Sequence, residues 1–112
     1  MRITMLEKLK MCKLHIEKKM SLSHISEMYG GYHVANIKYA VNLYKRHGEG
    51  PFLDRQRRIY KRDTKLLAIG QVLSGRSLRD VGVEHALTDP GIVSDWVKKY
   101  KTEGEDAIQD TY

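Results

Sequence analysis

Apolar residues recur at helical spacing along most of the chain, in short runs separated by polar or glycine-rich breaks. From Ser77 to Tyr100 the run Leu78, Val81 and His85 is followed by a break at Thr88-Asp89-Pro90-Gly91. The pattern then resumes at Val93, Trp96, Val97 and Tyr100, spaced i, i+3, i+4 and i+7. This predicts two short helices joined by a tight turn. Pro90 suits the first turn of the second helix, where its missing N–H costs nothing, and Thr88 or Asp89 can cap the free amides. Ser77 followed by Asp80 is a capping-box-like start for the first helix. Gly82 leaves room for close helix approach, and Trp96 is expected to dominate a small core rather than stack on a base. Leu22, Ile25, Tyr29, Ile37, Val41 and Tyr44 repeat the pattern at a constant offset of 56, as Leu22 stands to Leu78. The chain is therefore a duplicated helix-turn-helix unit.

A further helix is expected ahead of each pair. Leu6 to Lys18 carries a stripe of Met5, Leu9, Cys12 and Ile16, with lysines on the other side. In the second unit, which begins near Thr64, the stripe is Leu66, Ile69, Val72 and Leu73, closed by Ser74-Gly75. Ser21 or Ser23 caps the next helix of the first unit, which ends at Gly30-Gly31, where positive φ is free. The turn spans Gly30 to His33. Val34, Ile37, Val41 and Tyr44 then face inward, leaving His33, Asn36, Lys38, Tyr39 and Asn42 for the outer face of the third helix. Gly48-Glu49-Gly50-Pro51 ends the unit, with Phe52 and Leu53 folding back as a clasp. Asp54 to Asp63 has no apolar periodicity. The expected fold is all-α: two tandem three-helix, homeodomain-like helix-turn-helix units, 1–53 and 64–112, joined by a basic linker, 54–63.

Charge gives this architecture a polarity. The formal net charge is +6, which favours a polyanionic partner. Residues 1–53 carry nine Lys/Arg against four Asp/Glu, residues 54–65 six against two, and residues 66–112 five against eight. The positive field thus sits in the first unit and the linker. Arg55, Arg57, Arg58, Lys61 and Arg62 form either a solvated charge run or an arm that tracks phosphates or lies in a minor groove. Cys12 is the only cysteine, so no internal disulfide can form. Its place on the inner stripe makes it an inert core thiol. The five histidines lack ligand spacing, so no metal site and no cofactor is expected. There is no apolar run of membrane-spanning length and no secretory leader, which predicts a cytoplasmic protein without a membrane partner or small-molecule substrate.

The pattern KLKMCKLHIEKKMSLSHISEMYGGYHVANIKYAVNLYKRHGEGPFLD and, more specifically, KLLAIGQVLSGRSLRDVGVEHALTDPGIVSDWVKKYKTEGEDAI resemble the OrfA-type DNA-binding subunit of bacterial insertion-sequence transposases. Pro90-Gly91-Ile92-Val93-Ser94 and Trp96-Val97-Lys98-Lys99-Tyr100 are the most distinctive pieces. The resemblance implies binding to terminal inverted repeats in DNA transposition and a catalytic transposase subunit as partner. Two departures stand out. Tyr39-Ala40 replaces an Arg-Trp-like pair, giving the first recognition helix a lighter core. The family commonly continues into a heptad helix after the second unit, whereas this sequence stops at Tyr112, so homo-oligomerisation stays open.

The expected partner is double-stranded DNA, with each third helix in a major groove. Asn36 is the favoured base reader, because Asn pairs bidentately with adenine. Lys38, Lys45 and Arg46 suit phosphates. In the second unit Ser94, Asp95 and Lys98 occupy the equivalent outer positions, and Thr88 joins them from the turn. Asp95 faces a polyanion at a cost unless it accepts from cytosine N4. Alternatives are a transcriptional regulator or domesticated transposase fragment acting on promoter DNA, and a second unit that binds protein instead of DNA. Catalysis is not expected of the chain itself, since strand transfer needs three acids gathered on a sheet around two metal ions and no strand pattern is present.

Overall fold

The computed structural model describes residues 3–53 and 60–110, and the regular structure there is helical throughout. The chain divides into two compact units, Met1–Arg55 and Gln56–Tyr112. The first contains α1 (Met5–Glu17), α2 (Leu22–Met28), α3 (Val34–His47) and a single turn, α4 (Gly50–Leu53). The second contains α5 (Arg62–Leu73), α6 (Leu78–Glu84), α7 (Gly91–Glu103) and a 3-10 turn, Glu105–Ala107.

In the first unit the starts of α1, α2 and α3 are each fixed by a side chain that satisfies free amides. Thr4 Oγ1 accepts from the Glu7 N–H at 3.1 Å, while Glu7 Oε1 accepts from the Thr4 N–H at 3.4 Å, closing a reciprocal capping box on α1. Ser21, not Ser23, caps α2, its hydroxyl accepting from the His24 N–H at 3.1 Å. Gly30 and Gly31, at φ 72° and 87°, let the chain leave α2 through the left-handed region. The turn is held by the Gly31 N–H on the Ser26 carbonyl at 2.8 Å and the Ser26 hydroxyl on the Tyr32 carbonyl at 2.6 Å. α3 packs on α1 and α2, and α4 folds back on both α1 and α3.

The buried faces are wider than the stripes predicted from spacing. Leu9 and Cys12 are buried as expected, but Met11 is fully buried too, while Ile16 is exposed. On α3, Ile37 and Val41 are joined by Tyr39, Ala40 and Leu43, and Val34 is exposed. The expected clasp exists in half: Phe52 is buried and meets Tyr44 at a tilt of 59° with ring centroids 6.3 Å apart, whereas Leu53 is exposed. Because α4 packs on α1 as well as α3, it covers flanks that a bare three-helix unit leaves open.

The second unit encloses Ala68, Ile69, Val81, Leu87, Val93, Trp96, Val97 and Ile108, with Leu66, Val72, Leu78 and Tyr100 packed around them. Trp96 is a core residue, as expected, and Tyr60 meets it edge-on at 5.3 Å between centroids. Leu73, expected inside, is exposed, and Lys65 is buried with its ammonium 5.6 Å above the Trp96 ring. Burial, reinforced by the charge of Lys99, lowers the pKa of that ammonium, and the ring face offsets part of the desolvation. Ser77 caps α6 through the Asp80 N–H at 3.0 Å. Pro90 sits one place earlier than predicted, as the residue before α7, and Asp89 Oδ1 accepts from the Gly91 N–H at 2.7 Å.

The second unit also begins earlier than its sequence pattern. Lys61 is the residue before α5 and Arg62 is already helical, so the expected linker loses its last residues to this unit. The 56-residue offset is kept by the backbone itself. Positive φ occurs at three matched pairs: Lys19 (54°) and Gly75 (112°), Gly30 (72°) and Ala86 (56°), Gly48 (72°) and Gly104 (89°). Phe52 and Ile108, also matched, are both buried.

Candidate nucleic-acid interface

α3 follows the tight turn of the first unit and α7 that of the second. On α3, Lys38, Asn42, Lys45 and Arg46 are exposed at i, i+4, i+7 and i+8, which places them on one stripe. On α7 the exposed residues Ser94, Lys98, Lys101 and Thr102 occupy the same stripe at the 56-residue offset. These are the surfaces that a recognition helix would present to a groove. Lys45, Arg46 and His47 fill the last turn of α3, where positive charge is favoured by the helix dipole.

Three sequence-predicted contacts change role. Tyr39 is 6% exposed and belongs to the packing of α3 rather than its outer face, because the buried arc of this helix extends to Tyr39 and Leu43. Arg62 is engaged within its own unit: Nε donates to the Ile108 carbonyl at 3.0 Å, Nη2 lies 3.5 Å from the Glu105 carboxylate, and its N–H donates to Asp110. It closes the second unit instead of extending an arm. Asn36 is exposed but lies about 120° around the helix from Asn42, off the basic stripe. Asn42 is the amide centred on that stripe.

His33 is exposed at the start of α3, and its Nδ1 accepts from the Ala35 N–H at 3.1 Å. The cap assigns the ring proton of the neutral form to Nε2, leaving a donor that points away from the capped amide. Thr88 is half-buried in the turn before α7, Asp95 is exposed beside the Ser94 stripe, and Lys61 is exposed ahead of α5. Arg55, Arg57 and Arg58 lie outside the described residues. Lys99 and Lys101, exposed on α7, were missed by the sequence reading, although Lys101 lies i+7 from Ser94 and the spacing would have found it.

The charge picture is correspondingly sharper. Three of the five cations in residues 66–112 are Lys98, Lys99 and Lys101 on α7, while Glu103, Glu105, Asp106 and Asp110 collect at and beyond its C-terminal end. Before its last residue, α7 carries one acid, Asp95, beside these three lysines. Lys65 and Arg62, which belong to the basic stretch 54–65, are held within the second unit.

A polar network braces the second unit behind α7. Glu84 accepts from Gln71 Nε2 at 2.7 Å and from Arg76 Nη1 at 2.8 Å, and Gln71 Oε1 lies 2.9 Å from His85 Nε2. The Arg76 contact, then that of Gln71, lowers the Glu84 carboxyl below its ordinary value. In the first unit burial raises the Cys12 thiol to about 12, consistent with an inert core thiol. Among the described residues, no group of three or more His, Cys, Asp or Glu is placed to hold a metal ion. No described helix is long and apolar enough to cross a membrane.

The architecture defines an all-α helix-turn-helix protein. Residues 64–111 match the family model described as a helix-turn-helix domain, which suggests DNA as a partner. No curated protein and no solved structure matches the chain.

Proposed function

We propose that the chain is the sequence-specific DNA-binding subunit of an insertion-sequence transposase, acting in the cytoplasm on the terminal inverted repeats of its element. The observation that carries DNA binding is the basic stripe of Lys38, Asn42, Lys45 and Arg46 on the helix after the tight turn. The transposase assignment rests on the sequence resemblance, supported by the helix-turn-helix match, a domain type common in transposase N-terminal regions. In this reading Asn42 and the Nε2–H of His33 address bases, and the cations hold phosphates. Strand cleavage and joining fall, in this reading, to a separate catalytic subunit, as the resemblance implies.

The test is selection of bound duplexes from a random pool with the full chain, followed by comparison with the DNA flanking its gene. A selected site within flanking inverted repeats is the expected result. A site confined to a promoter would assign the chain to transcriptional regulation instead. Metal-dependent cleavage of that site by the purified protein alone would overturn the non-catalytic assignment.

A further inference from the structure

The two units share a scaffold but finish the crevice between their first and second helices differently. In the second unit Gln71, Arg76, Glu84 and His85 fill that region with the hydrogen-bonded network described above. At the 56-residue offset the first unit has His15, Met20, Met28 and Tyr29. His15 Nδ1 turns to the Met20 carbonyl at 2.8 Å, and Met28 is left 54% exposed. The acid, the amide and the guanidinium that close the crevice in one copy are therefore replaced by two methionines and an imidazole in the other. On the first unit Tyr29, the counterpart of His85, instead borders an open groove of about 300 Å³, together with Lys10, Lys13, Leu14, Glu17 and Lys18.

Leu14 and Tyr29 supply an apolar floor. The lysines add their aliphatic stems and can keep their ammonium groups at the rim. Lys13 is tied to Glu49 at 2.9 Å, whereas Lys10 and Lys18 are exposed. No lining residue comes from α3, so the groove can be filled while the basic stripe of α3 is engaged elsewhere.

We infer that this groove docks a short acidic amphipathic helix of a partner protein, its apolar residues on Leu14 and Tyr29 and its carboxylates on Lys10 and Lys18. Charge complementarity selects this occupant. A duplex would meet an apolar floor that offers phosphates nothing, whereas a helix with one apolar and one acidic face sets its apolar residues on the floor and its carboxylates on Lys10 and Lys18 at the rim. The inference does not depend on which DNA the protein binds.

The probe is a fluorescein-labelled model helix with Leu at i, i+4 and i+7 and Glu between, added to the full chain with and without duplex DNA. Binding is expected in both cases, with amide shifts at Lys10, Leu14, Lys18 and Tyr29. A peptide of the same composition with scrambled spacing should not bind. The double substitution Lys10→Glu and Lys18→Glu, at exposed positions, should weaken the probe about tenfold or more with an unchanged helical spectrum. The proposal is overturned if the probe shifts the α3 stripe instead, if DNA displaces it, or if the scrambled peptide binds equally. It is also overturned if the groove proves to be covered by a second copy, seen as self-association that the double substitution abolishes.

Discussion

Residues that share a place in the two units test one another. Ala86 adopts φ 56° where its counterpart Gly30 has φ 72°, and a Cβ in the left-handed region costs about 1–2 kcal/mol. Ala86→Gly should therefore raise stability by somewhat less than this, since glycine also gives back backbone entropy, and a rise in the urea midpoint would show it. Gly30→Ala should lower it. Glu84 makes a second prediction at this scale. Its carboxyl is depressed in the folded state by Arg76 first and Gln71 next, so its contribution is present above the ordinary carboxylate range and is lost as pH falls through the folded value. Glu84→Gln should flatten the acid limb of stability as pH falls below the ordinary carboxylate range; an unchanged limb would show that the network does not stabilise the fold. Individual positions were also where the sequence reading failed most. Tyr39 is polar-tipped and sits at an outer position of an ideal stripe, yet it is buried, because a buried arc wider than the stripe is set by tertiary packing and leaves no periodic trace. Arg62 reads as one more cation in a charge run, and only its hydrogen bonds to the Ile108 carbonyl and the Asp110 carboxylate, more than forty residues away, reveal its role.

At the scale of elements, spacing served well for α7, whose neighbours α5 and α6 pack on the face that the spacing marks. Val93, Trp96 and Val97 were placed inside from their i, i+3, i+4 spacing and are buried. The tight turns followed from Gly30-Gly31 and from Thr88 to Gly91, because backbone chemistry there is local. Spacing served poorly for α1 and α5, whose second flanks depend on what folds back over them. Met11 is buried beneath a unit in which α4 packs on α1, while its counterpart Leu67 is 57% exposed in a unit whose terminal turn packs on α7. The expectation for Trp96 follows from this layout. It joins α7 to Tyr60 and lies under the Lys65 ammonium, so Trp96→Ala removes a large side chain and leaves a buried cation without its ring. A loss of about 3–5 kcal/mol and of cooperative melting in the second unit should follow, measured by near-ultraviolet circular dichroism and thermal denaturation. A melt unchanged within error would sink the packing argument.

For the whole molecule the question is how the two units divide the work on DNA. Charge totals alone favour the first, with +5 in residues 1–53 against −3 in residues 66–112. The placement of charge changes the expectation for the second, since Lys98, Lys99 and Lys101 stand exposed on α7 against the single acid Asp95 on that helix before its last residue, while four of the eight acids lie at or beyond its end. Each phosphate neutralised on B-DNA contributes about −0.9 to the slope of log K against log salt. Replacing Lys38, Lys45 and Arg46 by Ala in the full chain should then make the slope less negative by up to about 2.7, if all three meet phosphates. Replacing Lys98 and Lys101 should change it by up to about 1.8. We expect both changes, the first larger, and a greater loss of sequence preference from Asn42→Ala than from Asn36→Ala, because only Asn42 is centred on the basic stripe. A slope that ignores the α7 pair but follows the α3 set would leave DNA to the first unit and make the second a protein-binding module. A slope indifferent to the α3 set would refute the recognition stripe altogether, since no rearrangement of the second unit could restore a contact that α3 does not make.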